Sequence, residues 1–504
     1  MANWKNLGDL INRMGDLERP AVIDLRDAGA PRTWSHLELD RLANGVAHYL
    51  VSCGFVRGRR VAILSANRAE YLAAYFGIMR AGLVAVPVNT KLARETIDFI
   101  IDDAEIAYTF VDRLGNSLIA DRIPRLDFDD LGRAGFAASV IPGMFKTVEA
   151  GPQEIGQMLY TSGSTGRPKG VPLSHAGQLW ALTIRSGGQI NEADRYLIAQ
   201  PLFHMNGLFS AKTVFATNAS VVMLPSFESR HYLKALAEYK ITTLMAVPTM
   251  FARIIKEADL LASLDFSSLH RIGLGSAPIT LGLLERIQKA FPEAMITLGY
   301  GTTEAGPAVF GPHPDGLPTP PLALGYPIAG CEVKLMNGPD EDEGELLMRN
   351  PAVMSGYHNL PQQTSRVLAA GWYSSGDLMR RDENGFYYFV GRADDMFVCS
   401  GENIYPTEVE KMLERHPLVQ QAVVVPLQDE ERGQIPVAFI VSKTDAQVTV
   451  DEIRQFALAI GPAYQHPRRI KFMRELPWAG TNKIDRTALI ELARTLDAAH
   501  AWSQ

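Results

Sequence analysis

Between residues 61 and 247, short apolar runs alternate with longer segments of helical spacing, and that alternation admits few folds. The runs at 61–64, 84–88, 196–202, 220–224 and 243–247 have the length and apolar content of buried strands. Segments 68–80, 92–102 and 231–239 repeat their apolar residues at helical intervals. A helix between two strands returns the chain to the same end of the sheet, so the strands pair largely in parallel. The predicted fold class is therefore α/β, with layered sheets, and no repeat of fixed period is present. With 504 residues the chain can hold two or three domains.

The character changes further along. Residues 311–321 are rich in Gly and Pro and read as a surface loop, while 333–348 and 386–390 read as antiparallel β structure. Beyond residue 394, helical patterns at 407–415 and 451–460 flank strand-like runs at 422–425 and 437–441. That tail of roughly 110 residues is long enough for its own core. The expected division is a large domain, 1–393, with a β-rich subdomain, and a small α+β domain, 394–504.

Residues 160–170 read YTSGSTGRPKG. Glycines let a backbone come close to a ligand, and successive N–H groups in such a turn form an anion-binding nest. Thr161, Ser162, Ser164 and Thr165 add hydroxyl donors, Gly163 and Gly166 the freedom, and Lys169 a positive charge. The segment is built to cradle a polyphosphate. It is not a G-x-x-x-x-G-K-[ST] loop, because Gly170 follows Lys169. Apolar residues 171–173 come next, and Ser174 is placed to cap a helix.

Six further segments follow in order: PLFH at 201–204, GSAP at 275–278, GYGTTE at 299–304, WYSSGD at 372–377, GRAD at 391–394 with SGENIYP at 400–406, and TNKIDR at 481–486. Together with the glycine-rich loop they resemble the adenylate-forming superfamily, and within it the AMP-forming acyl-CoA synthetases. The resemblance spans residues 160–486 and implies ATP, Mg²⁺ and coenzyme A as cofactors, and a small carboxylic acid as substrate.

The resemblance also implies roles. Thr161, Ser162, Gly163, Ser164, Thr165, Gly166 and Lys169 would hold the phosphates. Gly275, Ser276, Ala277 and Pro278 would lie against adenine and the acyl group. Within the next segment, Gly299, Tyr300, Gly301 and Thr302 would form the adenine wall, with Tyr300 stacked on the base. Thr303 would meet the α-phosphate or the substrate carboxylate, and Glu304 would be the Mg²⁺ ligand, a single carboxylate being enough when phosphates share the ion. His204 would gate the acyl pocket. Asp377 and Arg392 would bind the ribose, and Asp394 would be the hinge of the small domain. Ser400, Gly401 and Glu402 would lie along the path of pantetheine; relatives carry glycine where this chain has Ser400. Lys483 would be the catalytic lysine, preceded here by Asn482 rather than glycine. Tyr464, His466 and Arg468 are candidates for the nucleotide end of CoA, on an aromatic-plus-cation pattern.

The implied reaction has two halves: a carboxylate attacks the α-phosphorus of ATP to give acyl-AMP and pyrophosphate, then a thiol takes the acyl group and releases AMP. Pocket candidates His204, Met205, Gly207, Leu208, Ser276, Leu298, Gly299 and Gly306 include no Lys or Arg. An acid with an uncharged tail is therefore expected: aryl, arylpropenoyl, or short- to medium-chain aliphatic. Loading of a carrier-protein thiol, luciferase-like oxygenation and a silent adenylate-binding module stand as alternatives. Homodimer formation and acetylation of Lys483 are left open by the sequence.

The remaining composition excludes some classes. A net charge of −7 gives no general attraction to nucleic acid. Cys53, Cys331 and Cys399 are too scattered for a disulfide framework or a cysteine metal site. No run reaches the roughly 18 apolar residues of a membrane span, and a cytoplasmic location is expected.

Overall fold

The computed structural model describes residues 4–502, apart from 28, 134, 162–166, 187–190, 394, 400–401, 430–431, 444–447, 480–482 and 500. Two large sheets dominate. One has the order Met295–Gly299, Arg271–Gly275, Thr243–Ala246, Arg195–Ile198, Ser220–Met223, Pro20–Asp24 and Arg32–Ser35. The other runs Arg125–Asp127, Tyr108–Val111, Arg60–Leu64, Val84–Pro87, Ile155–Thr161 and Lys169–Ser174. Both are parallel except for an antiparallel pair at one edge.

Period-two alternation decides what each strand gives to which core. Val61 and Ile63 face the core shared by the two sheets, whereas Ala62 and Leu64 face the outer side. Helices His36–Ser52, Ala69–Arg80, His175–Ser186 and Met205–Thr217 contribute to that shared core. All twelve residues of Ala69–Arg80 are buried, as a helix packed on every side requires. On the far side of the first sheet, Ile272 and Leu274 pack with helices Ser229–Glu238, Pro248–Ile254 and Leu281–Ala290. Gly273 and Gly275 alternate with them; a Cβ on Gly273 would stand 2.3 Å from Met245 Sδ, so the thioether fills the place a side chain would take.

A third, antiparallel sheet holds Glu332–Asp340, Glu343–Arg349, Trp372–Arg381, Leu368–Ala369 and Tyr387–Arg392. The last sheet, built from Phe397–Cys399, Glu402–Ile404, Val419–Asp429, Gly433–Ser442 and Arg469–Phe472, has its own core around Val423, Phe439 and Leu489. Among the described residues no helix is long and apolar enough to cross a membrane.

Candidate active site

The glycine-rich segment is the tip of a hairpin: Thr161 pairs with Lys169 across antiparallel strands. Ser162, Gly163, Ser164, Thr165 and Gly166 lie outside the described residues. Ser174 ends the second strand, and its Oγ accepts from Gly177 N at 3.1 Å, opening helix His175–Ser186. Thr161 Oγ1 is buried and has no hydrogen-bond partner among the described residues. An orphaned hydroxyl at the root of a phosphate cradle suits a ligand oxygen, since burying it unpaired is costly.

Lys169 stands 4.3 Å above the ring of Tyr357, a cation–π contact. The Tyr357 hydroxyl donates to Glu304 Oε1 at 2.9 Å. Met354 N donates to the Glu304 carbonyl at 2.7 Å, and His358 N to Gly170 O at 2.8 Å. Tyr357 thus links the phosphate-loop lysine to the carboxylate expected on the metal. Sequence reasoning missed it, because a lone tyrosine in SGYHN has no spacing signal of its own.

Strand Met295–Gly299 delivers the chain into residues 300–304. Thr302 bridges to Gly306, and Thr302 Oγ1 accepts from Ala305 N at 2.9 Å. Gly306 has φ +86°, and a Cβ there would stand 2.6 Å from Ala352 Cβ, so the turn needs glycine on both counts. Gly301 is equally confined, 2.5 Å from Gly306 O. Thr303 is half-buried on this turn.

Tyr300, Asp377 and Arg392 form one hydrogen-bonded cluster. The Tyr300 hydroxyl donates to Asp377 Oδ2 at 2.5 Å, and Arg392 Nη1 donates to Oδ1 at 2.9 Å. Asp377 and Arg392 are direct partners across strands. Burial raises the Asp377 carboxyl above its ordinary pKa, against the pull of Arg392 and Tyr300. The adenine-side and ribose-side residues are therefore one unit, which the motifs treated separately did not reveal.

On the acyl side, His204 precedes helix Met205–Thr217 and gives it no side-chain cap. His204 Nε2 is buried without a partner among the described residues. Burial, with the charges of Lys483 and Lys91, lowers its pKa to about 4 and keeps the ring neutral. Asn206 Nδ2 donates to Ser276 Oγ at 3.2 Å, while Asn206 Oδ1 is a second orphan. Ser276 has φ +66°, a strained turn that carries Ala277 and Pro278 away from the strand. Gly275 pairs with Gly299, and a Cβ on Gly275 would stand 2.9 Å from Gly299 O.

One residue beside this region was not among the expected ones. Arg185, on helix His175–Ser186, brings a guanidinium so close that a Cβ added to Gly299 would lie 3.3 Å from its Nη2. A cation thus lies beside Gly299, on a helix outside the motifs. Its signal was present: Gln178, Ala181, Leu182 and Arg185 share one helix face by spacing, and an Arg on an otherwise buried face is unusual.

Lys483 reaches the same cleft from the C-terminal sheet's neighbourhood, where Trp478 and Ile484 form a bridge and Ala479 N donates to the Lys483 carbonyl at 2.7 Å. Its surface is exposed, yet enough protein surrounds the ammonium for burial to be the main cause lowering its pKa. Asp377 opposes that shift and Arg392 reinforces it. Lys483 thus acts electrostatically with Asp377, with Arg392 and with His204. Glu402 is exposed on strand Glu402–Ile404, whereas Asp394, Ser400 and Gly401 lie outside the described residues. Farther off, Arg468 Nη1 meets His466 Nε2 at 2.7 Å, and Tyr464 packs on the C-terminal core.

The comparisons with known proteins agree with this geometry. The AMP-binding enzyme family matches residues 13–358, and the AMP-binding enzyme C-terminal domain matches 408–483. The chain is 31% identical over 467 residues to a 2-succinylbenzoate–CoA ligase of Bacillus cereus, covering 91% of this chain and 94% of that protein. An anthranilate CoA ligase crystallised with anthranoyl-AMP superposes with a TM-score of 0.89 at 25% identity, over 99% of both chains. The o-succinylbenzoate CoA synthetase of Bacillus subtilis, solved with its acyl-adenylate, superposes with a TM-score of 0.80 at 28% identity, over 94% of this chain and 96% of that one. This chain belongs to the AMP-binding, adenylate-forming superfamily, and within it is an AMP-forming acid–CoA ligase.

Proposed function

We propose that the cleft between Lys169, Glu304, Asp377, His204 and Lys483 carries both half-reactions on a ring-sized carboxylic acid. The observation that supports this most is that Lys483 acts electrostatically both with His204 and with the Asp377–Arg392 pair, segments far apart in sequence. The ring acids in the names of the relatives favour an aryl acid among the expected classes. The motif residues of the pocket carry no Lys or Arg, which supports an uncharged tail.

In this reading Thr161 and Lys169, with the loop they flank, hold the β- and γ-phosphates. Lys169 is steered by Tyr357, which also fixes the rotamer of Glu304. Glu304 would hold Mg²⁺ together with phosphate oxygens, and the ion would supply charge neutralisation; among the described residues no three His, Cys, Asp or Glu side chains converge to cage an ion alone. Tyr300 and Arg392 orient Asp377 so that its oxygens receive the ribose hydroxyls. Lys483 donates to the α-phosphate and offsets the charge that develops there as the carboxylate attacks phosphorus and pyrophosphate leaves. Neutral His204 stands at the acyl entrance and adds no charge that would hold the substrate carboxylate away from phosphorus.

The second half-reaction requires Lys483 to leave. We place the division of domains at 393/394, with Asp394 as the hinge and Ser400, Gly401 and Glu402 brought toward the thioester site. Pyrophosphate release with MgATP and a panel of acids, with and without CoA, tests the proposal. Acid-dependent turnover that continues only with CoA is expected. A burst indifferent to CoA would move the thiol to a carrier protein.

A further inference from the structure

Lys483 is useful only where its segment is held, and one helix of the C-terminal part makes contacts in two directions. Helix Pro406–Glu414 packs against strand Tyr387–Arg392, the strand that carries Arg392. The approach is close: a Cβ on Gly391 would stand 3.9 Å from Thr407 Oγ1 and 3.9 Å from Tyr405 Cβ. Lys411 Nζ donates to the Phe389 carbonyl at 3.0 Å. At the end of the same helix, Glu414 lies beside the Thr280 hydroxyl, which opens helix Leu281–Ala290, and near Arg286. Phe389 and Thr280 precede residue 393, whereas Lys411 and Glu414 follow it, so both contacts join the C-terminal part to the large domain.

Glu410, the neighbour of Lys411, is tied the other way. Arg486 Nη2 donates to its Oε1 at 2.6 Å and to its Oε2 at 2.9 Å, while Arg486 Nη1 donates to Val424 O at 2.8 Å. Val424 N donates back to Glu410 Oε1 at 2.8 Å. Four hydrogen bonds thus lock the helix, strand Val419–Asp429 and residue 486 into one unit. Asp395 adds its charge in favour of the Arg486 cation. Arg486 begins helix Arg486–Ala498, three residues after Lys483. A guanidinium–carboxylate pair fixes direction as well as distance, and a buried one is hard to break from one side.

We propose that Lys411 and Glu410 are positioning residues of the first half-reaction: Lys411 docks helix Pro406–Glu414 on the large domain, and Glu410, through Arg486, passes that position on to the segment carrying Lys483. This rests on the reading that Lys483 serves adenylation and then leaves. Neither residue touches the reacting atoms. When the C-terminal part turns away, Lys411 gives up Phe389, and the Glu410–Arg486 pair travels intact with Lys483.

The test uses the full-length protein, the acid that turns over fastest in the panel above, and its synthetic acyl-adenylate. Single-turnover pyrophosphate release, and thioester formation from supplied acyl-AMP and CoA, are measured for wild type, Lys411→Met, Lys411→Arg, Glu410→Gln and Lys483→Ala. Lys411→Met should slow pyrophosphate release about tenfold and leave thioester formation unchanged or faster. Lys411→Arg, which keeps a charged donor, should recover most of that loss. In a Lys483→Ala background, Lys411→Met should slow pyrophosphate release no further, because its effect runs through the missing ammonium. Glu410→Gln should show the same split between the half-reactions, and decides the matter if Lys411→Met does not fold. Equal loss in both half-reactions, no loss in either, or a further loss in the Lys483→Ala background would overturn the assignment. If Lys483→Ala itself slows both halves alike, the division of labour fails and takes this assignment with it; if Lys483→Ala splits them and Lys411→Met does not, this assignment alone falls.

Discussion

Asp377 receives donors from Tyr300 and Arg392, and the two come from different segments of the cleft. Removing either leaves a buried carboxylate short of a partner, which typically costs about 1–3 kcal/mol. Tyr300→Phe should therefore weaken ATP binding through a looser Asp377, with KM for ATP raised by roughly tenfold; an unchanged KM would show that the hydroxyl has no such role. Lys212 is a second residue whose behaviour follows from burial, which lowers its pKa from the ordinary 10.5 to about 7. Between those values the unfolded chain binds a proton that the folded chain does not, so stability rises with pH across that window and the gain is lost as pH falls toward 7. Thermal unfolding of wild type against Lys212→Met should show the variant relatively more stable near pH 7 and the difference shrinking by pH 9. A difference independent of pH would contradict the lowered pKa.

The elements around the site explain what the sequence could and could not reveal. Strands at 60–64, 84–87 and 243–246 and helices at 69–80 and 229–238 fell where apolar periodicity put them, because each is buried on a face that the sequence must pay for in apolar residues. The seven motifs were legible for a different reason: glycine, proline and paired polar residues are needed locally, whatever surrounds them. Tyr357 was not legible, because its importance comes from a contact across the chain with Glu304, whereas Arg185 carried only the signal of a charged residue on an apolar helix face. Ser162, Gly163, Ser164, Thr165, Gly166, Asp394, Ser400 and Gly401 lie outside the described residues and keep only their motif-based assignments. At this scale the floor of the pocket is testable. Gly299→Ala would put a methyl 3.3 Å from Arg185 Nη2. It should raise KM for the acid by about tenfold and leave KM for ATP unchanged; equal change in both would mean that the strand end is disturbed, not the acid pocket.

For the whole molecule, the central feature is that the C-terminal part lends Lys483 to a cleft otherwise made by residues before 393. A residue lent in this way can be withdrawn, and the two half-reactions call for different occupants of the same place. A stiffer connection should therefore affect the halves unequally: Asp394→Pro is expected to slow thioester formation while sparing pyrophosphate release in a single turnover. Equal slowing would tell against a hinge there. The most direct measurement separates the half-reactions in Lys483→Ala. Acid-dependent pyrophosphate release should fall by about 10²–10³, while thioester formation from supplied acyl-AMP and CoA should stay near the wild-type rate. Comparable loss in both would contradict a lysine that serves only the first step, and with it the account of one cleft used twice.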